Sequence, residues 1–303
     1  MSDTGTATWI DLVDPSADDI RRRAPVELSD RVVDRLAAPH ADGARPQLES
    51  GGDYAFGVLL APLAVPEDDL ILFQEVDLLL TPEVALTVRK TLPGRGAVDL
   101  TPVAESCSHD APAGRVAFHL ADLVAERFLD LLDDLEEEID ELEEHMDRWP
   151  AERIRRRLSE LRRDTLTIRR TLAPTRDAVR RVVDGRLSVE RGELLDRETQ
   201  VAFADTYDKL LRVTEGLEYE RDLIASARDY HQAQIATEQN EVLKRLAVIA
   251  SVLLLPTFIV GVYGQNFEHM PELSWRLGYL YSWFTIVVST VAQLVYFRRR
   301  GWI

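Results

Sequence analysis

The chain has 303 residues, with 36 Lys and Arg against 53 Asp and Glu, a formal net charge of −17 and one cysteine, Cys107. That length is a prior for two domains and is ample for a buried core. One cysteine excludes an internal disulfide and a cysteine-based zinc site, and the acidity argues against nucleic-acid binding, which needs cationic side chains to neutralise phosphates.

Residues 1–115 read as a mixed α/β domain. The first residues carry neither a basic n-region nor an apolar h-region, so no signal peptide is expected. Thr8–Val13 reads as a strand, and Asp14-Pro15-Ser16 offers turn and cap chemistry for a helix over Ala17–Ala24. Tyr54–Leu63, Leu70–Leu80 and Glu83–Arg89 are apolar runs bounded by Gly, Pro and Asp, as strands should be. The segment holds no glycine-rich phosphate loop or dinucleotide fingerprint.

From about Pro112 the pattern turns helical. Residues 116–192 read as an antiparallel hairpin of two helices broken at Pro150. Its first helix has a seam of Leu132, Leu135, Ile139, Leu142, Met146 and Trp149, spaced three and four apart. Around that seam Asp130–Asp147 holds eleven acidic residues, and the next helix, Ala151–Arg181, holds eleven arginines. The acidic run reads either as a cation-attracting surface or as a solvated face neutralised by ion pairs with the following helix. Residues 193–245 read as a stalk helix continuing into the next segment, with no proline before Pro256.

Two uncharged runs close the chain: Leu246–Tyr263, eighteen residues, and Leu277–Phe297, twenty-one. Spanning ~30 Å of hydrocarbon takes roughly 20 apolar residues at ~1.5 Å each, so both are expected to cross a membrane. Lys244 and Arg245 precede the first span and Arg298, Arg299 and Arg300 follow the second, in a basic tail over 298–303. Positive flanks belong inside, which predicts a multi-pass protein of the plasma (inner) membrane with both termini cytoplasmic and residues 264–276 outside. Asn240, Leu243, Ala247, Ala250, Leu254, Thr257, Gly261 and Gly264 recur at steps of three and four and share one face. That face reads as pore-lining, with an apolar constriction at Leu243 and Leu254, or as small-residue packing between membrane helices. Two spans alone cannot enclose a polar path, so transport requires self-association.

The loop after the first span reads Tyr263-Gly264-Gln265-Asn266-Phe267, followed by Met270-Pro271-Glu272-Leu273. With Asn240-Glu241-Val242, the two terminal spans and the Gly301-Trp302-Ile303 end, this resembles the CorA family of divalent-cation (magnesium/cobalt) channels. The family's Gly-Met-Asn signature stands here as Gly-Gln-Asn. The resemblance implies an α+β membrane protein forming a funnel-shaped homopentamer in the lipid bilayer, with the first span lining a central pore. It implies influx of Mg2+, and of Co2+ or Ni2+, down the electrochemical gradient, gated by cytoplasmic Mg2+. Ion entrance is then expected at Gly264, Gln265 and Asn266, with Asn266 forming a ring of amides and Glu268 and Glu272 concentrating cations. The stretch Phe203–Asp208 resembles the family's region carrying one regulatory Asp, which implies Asp205, and more weakly Asp208, as a candidate Mg2+ ligand. Mg2+ is thus expected both as substrate and as regulatory ligand, with no organic cofactor.

Gln265 in place of Met leaves open a second reading: a zinc or other transition-metal transporter of the same two-span architecture, coupled to protons, with His269 serving in the outer loop. A third is a membrane-anchored scaffold without flux. An enzyme is not expected, because no nucleophile–base set, metal-hydrolase motif or nucleotide loop is present.

Overall fold

The computed structural model of the chain describes residues 8–41, 43–65, 70–107, 111–190, 192–265 and 270–302. It divides into two compact units, Met1–Ala227 and Arg228–Ile303.

The first unit opens with β1 (Thr8–Val13). Asp14 then turns the chain in the left-handed region, at φ 44°, and accepts the Thr91 amide at 3.0 Å. Ser16 caps α1 (Ala17–Arg23) in a reciprocal capping box with Asp19, which satisfies helix-end amides that would otherwise be orphaned. There follow α2 (Asp30–Ala37), β2 (Gln47–Ser50), β3 (Ala55–Val65), β4 (Leu70–Leu80) and β5 (Val84–Arg89). The strands expected at Thr8–Val13 and Leu70–Leu80 are present with the same ends, and those expected at Tyr54–Leu63 and Glu83–Arg89 with shifted ones, whereas α2 and β2 are additional elements.

The five strands form one sheet in the order β1-β5-β4-β3-β2. β3 and β4 pair antiparallel from Ala55 opposite Leu80 to Val65 opposite Leu70. β4 turns into β5 through Thr81, whose hydroxyl accepts the Val84 amide at 3.0 Å. β1 lies parallel to β5. Both faces of the sheet are covered, and this explains why β4 and β5 are almost continuously apolar. On one face Leu12, Leu79, Leu86 and Val88 pack with Ile20 of α1 and with Val33 and Leu36 of α2. On the other, Leu59, Ala61, Val76, Leu78 and Leu80 join a larger core with the helices that follow.

One polar knot interrupts the α2 side. Lys90, 1% exposed, donates to Glu75 Oε1 at 2.9 Å and to the Arg35 carbonyl at 3.1 Å, and lies 2.9 Å from Asp77 Oδ2. The Arg35 guanidinium reaches the same Glu75 oxygen at 2.9 Å, and His40 Nδ1 lies 3.4 Å from its other oxygen. Burial pushes the Asp77 carboxyl up to about 7 against the opposing pull of Lys90.

After α3 (Thr101–Ser106), Pro112 and Pro150 stand at the N-caps of α4 (Ala113–His145) and α5 (Ala151–Val183). Proline belongs at such positions because a helix start has amides with no partner to lose. Leu135, Ile139 and Leu142 of α4 share the core with Leu158, Leu161, Ile168 and Leu172 of α5, as the seam predicts. Among the described residues, the hairpin's charges do not pair only across the seam. Arg157 reaches Glu138 at 2.8 Å across the hairpin, but Arg155 pairs within its own helix, and Asp133, Asp134 and Glu137 are exposed. A long side chain on the outer face of a helix points away from the seam, so matched composition does not translate into matched pairs.

The last long element is α6 (Arg197–Tyr263), 67 residues in one helix as expected. Its first part belongs to the first unit and buries Phe203, Leu210, Val213, Leu217 and Ile224. It runs parallel to α4: Lys209 bonds Asp122 at 2.8 Å and also reaches Glu126, and further along Gly216 faces Leu132.

The second unit holds the remainder of α6, a 3-10 turn at Pro271–Ser274 and α7 (Gly278–Arg299).

Candidate ion path

The two spans are long and apolar enough to cross a membrane, and only 6% of either apolar window is buried. Helices of a soluble core would be mostly buried, so that alternative fails here.

Within the second unit, α6 has two distinct faces. Val248 is 5% exposed, and Ser251, Val252, Leu255, Ile259 and Val262 are half-buried at steps of three and four. Among the described residues, α7 is the only other helix of this unit long enough to shield that stripe. The stripe of Asn240, Leu243, Ala247, Ala250, Leu254, Thr257, Gly261 and Gly264 is exposed at every position, with Leu254 at 69%. A Cβ built on Gly261 meets nothing within 4 Å. Small residues at these positions therefore serve no packing inside the chain, which disposes of intrachain close approach as their reason. Thr257 donates its hydroxyl proton to the Leu253 carbonyl at 2.7 Å. Its Oγ1 lone pairs remain open to the exposed side.

The helix ends by tightening in its last turn. Gly264 N–H bonds Val260 O at 3.0 Å and Gln265 N–H bonds Val262 O at 3.3 Å. Both residues are exposed at the C-terminal end of the stripe. Asn266, Glu268 and His269 lie outside the described residues. On the far side of the loop, Glu272 is half-buried in the 3-10 turn. Any side chain at Gly278 would collide with the Glu272 carbonyl, 2.2 Å from a built Cβ. The Met-Pro-Glu-Leu turn is thus clamped directly onto the start of α7.

α7 carries the marks of a span that meets water at both ends. Tyr279, Tyr281 and Trp283 are exposed near its start, and Tyr296 and Trp302 near its finish, where amphipathic rings favour the interface. Arg298, Arg299 and Arg300 follow at once, with Arg300 lying 5.7 Å over the Tyr296 ring. Polar side chains also occupy the shielded face of α7: Thr290 Oγ1 and Gln293 Oε1 are buried with no hydrogen-bond partner. The single Gln in an apolar run was the visible signal for that feature.

In the first unit, Asp205 and Asp208 are exposed on α6. Their neighbour Thr206 points inward and donates to Asp122 at 3.1 Å. Among the described residues neither aspartate has a partner, and no group of three His, Cys, Asp or Glu side chains is set to coordinate a metal. Glu220, a carboxylate on the apolar stripe of α6, was not singled out from sequence. The interruption Val213, Leu217, Glu220, Ile224 is its signal.

Fold and spans together define a two-span membrane protein whose large extramembrane unit precedes its membrane helices. The chain belongs to the CorA-like Mg2+ transporter family, which matches residues 4–299. It is 28% identical over 309 residues to the cobalt/magnesium transport protein CorA of Thermotoga maritima, covering 99% of this chain and 85% of that one. A shorter stretch of 71 residues is 38% identical to the magnesium transport protein CorA of Helicobacter pylori, 23% of this chain and 22% of that one. Its fold matches the complete structure of the CorA magnesium transporter from Methanocaldococcus jannaschii, with a TM-score of 0.79 and 19% identity over 97% of this chain and 91% of the other.

Proposed function

We propose that the protein is a channel for Mg2+ influx, admitting Co2+ and Ni2+, that works as a homopentamer with the first span of each protomer lining the path. Family membership supports the transport class. The observation that carries the path is the unbroken exposed stripe from Asn240 to Gly264, small or polar at its ends and apolar at Leu243 and Leu254. Five copies of such a face around an axis give oxygen-bearing rings at Asn240 and Thr257, separated by constrictions narrow and apolar enough to dewet, and the family resemblance adds an amide ring at Asn266.

Mg2+ dehydrates reluctantly and prefers oxygen ligands. An Asn266 ring binds its first-shell waters without stripping them, while Glu268 and Glu272 raise the local cation concentration. No ATP is needed: a divalent ion falling through ~100 mV gains about 4.6 kcal/mol, twice the ~2.3 kcal/mol per unit charge. With both termini cytoplasmic, Asp205 and Asp208 face the compartment being filled. Their exposure and lack of partners suit Mg2+ binding between protomers that closes the path when the ion is plentiful.

The test is Mg2+ influx into proteoliposomes under an inside-negative potential. Wild-type vesicles should fill, Asn266→Ala vesicles should lose most of that flux with the protein still inserted, and Asp205→Asn should blunt inhibition by Mg2+ on the cytoplasmic side. Normal flux through Asn266→Ala sinks the amide ring. Flux that prefers Zn2+ and follows a pH gradient replaces this reading with the transition-metal one.

A further inference from the structure

Between α2 and the edge strand β2 lies a cleft of about 610 Å3. Arg31 and Arg35, one helical turn apart on α2, line one side of it. A turn closed by the Ala44 amide on the Ala41 carbonyl at 3.1 Å, with Gly43 at φ 92°, brings Arg45 to the same cleft. Val32 and Phe56, both half-buried, supply apolar lining, and Gln47 and Glu49 of β2 add polar groups. Glu49 stands opposite Phe56 in the β2–β3 pairing, so the carboxylate and the ring share one face of the sheet.

Three guanidiniums around one cleft are costly in themselves, since like charges four apart on a helix repel. A chain with a net charge of −17 has carboxylates to spare for pairing, yet only one of the three takes one here. Arg35 reaches the buried Glu75 at 2.9 Å. Arg31 and Arg45 reach no acidic side chain among the described residues, and Glu49 is drawn toward Arg181 at 3.5 Å. The cleft is thus a cationic spot on an acidic protein, and its walls concentrate that field.

We propose that this cleft binds a nucleoside polyphosphate, with the phosphates on Arg31, Arg35 and Arg45 and the base against Phe56. Guanidinium forks match phosphate oxygens two at a time. An inorganic polyphosphate shares that chemistry, but it would fill only the cationic side and leave Phe56 and Val32 facing water. A flat base covers them by stacking, which an aromatic ring rewards whatever the base, and the Gln47 amide offers both donor and acceptor to its edge. The volume is that of an ordinary small-molecule site. Side chains alone hold the ligand, so no glycine-rich loop is needed. Because the site is cationic, it takes the metal-free anion: Mg2+ on the phosphates cancels charge that the guanidiniums would otherwise meet. Occupancy therefore rises as free Mg2+ falls. The inference goes beyond the transport reading and does not depend on it.

Equilibrium binding to the full-length protein in an uncharged detergent, at neutral pH with EDTA, measures this directly. ATP should bind, adenosine should not, and tripolyphosphate should bind about tenfold more weakly than ATP, for want of the stacked base. Arg31→Gln and Arg45→Gln, both at exposed positions, should each raise the ATP Kd about tenfold while the melting temperature stays near wild type. Phe56→Leu should weaken ATP about tenfold and leave tripolyphosphate unchanged. Excess MgCl2 should weaken ATP binding to wild type. Arg153→Gln, an exposed position outside the cleft, should change nothing. Absence of ATP binding at millimolar concentration overturns the site. So does binding that ignores both cleft arginines, or that falls equally with Arg153→Gln, because the attraction is then diffuse. Tripolyphosphate binding as tight as that of ATP and indifferent to Phe56→Leu overturns the nucleoside assignment in favour of an inorganic anion.

Discussion

Asp77 shows how one buried carboxyl sets a pH dependence with an uncommon sign. Lys90 contacts it directly, and it feels the charges of Glu75 and Arg35 in the same knot. Because its folded value, about 7, lies above the ordinary 3.8, its stabilising contribution is complete below about 3.8 and declines as pH rises through 7. This runs opposite to an ordinary salt-bridged aspartate. Over that window the group alone tilts stability by up to about 1.4 kcal/mol per pH unit. Asp77→Asn should flatten the tilt, leaving unfolding midpoints near wild type in mild acid and above it at pH 8. Thermal melts of the full-length protein at both pH values check this. A variant that loses stability at pH 8 would show instead that Lys90 depends on the Asp77 charge.

At the scale of elements, Gly216 lets α6 approach Leu132 of α4 closely. A Cβ there would stand 2.5 Å from Leu132 Cδ2, so a larger side chain must part α4 from α6. Gly216→Val should cost about 1–3 kcal/mol, as overpacked cores do, and lower the melting temperature. Adding Leu132→Ala should recover part of the loss, because the two positions share one space. This contact also shows what the sequence withholds. Periodicity revealed the seam of α4, the lack of proline before Pro256 revealed the length of α6, and the prolines marked both starts of the hairpin. The Ser16 capping box could be seen in four letters. By contrast β2, Gln-Leu-Glu-Ser, buries only Leu48, and α2 buries only Val33 and Leu36. Elements that short have too few apolar positions to display a period. Gly216 itself reads as a blemish in a helix until its neighbour is known.

At the scale of the molecule, the spans were readable, since a membrane demands a length and an uncharged composition that two runs of eighteen and twenty-one residues supply. The exposed face of the first span was also readable, because steps of three and four fix which residues share a side. Which arginines meet beside α2 was not readable. Such groupings come from tertiary contacts, and arginines spread along the whole chain offer many equivalent candidates.

The two uncharged runs are unequal, eighteen residues against twenty-one, which at ~1.5 Å per residue is about 27 against 31 Å. A bilayer that fits one therefore misfits the other by roughly 4 Å, at fractions of a kcal/mol per Å. The mismatch falls on the helix that carries the exposed stripe. In thick membranes Lys244 and Arg245 must stretch toward the headgroups or the lipid must pinch inward, and in thin ones that strain relaxes. Transport rates compared across phosphatidylcholines of increasing acyl length should accordingly peak on the short side of the series. A rate indifferent to acyl length would mean that neighbouring protomers, and not lipid, set the depth of the first span. A peak on the short side would instead make the thickness of the surrounding lipid a determinant of how fast this protein transports.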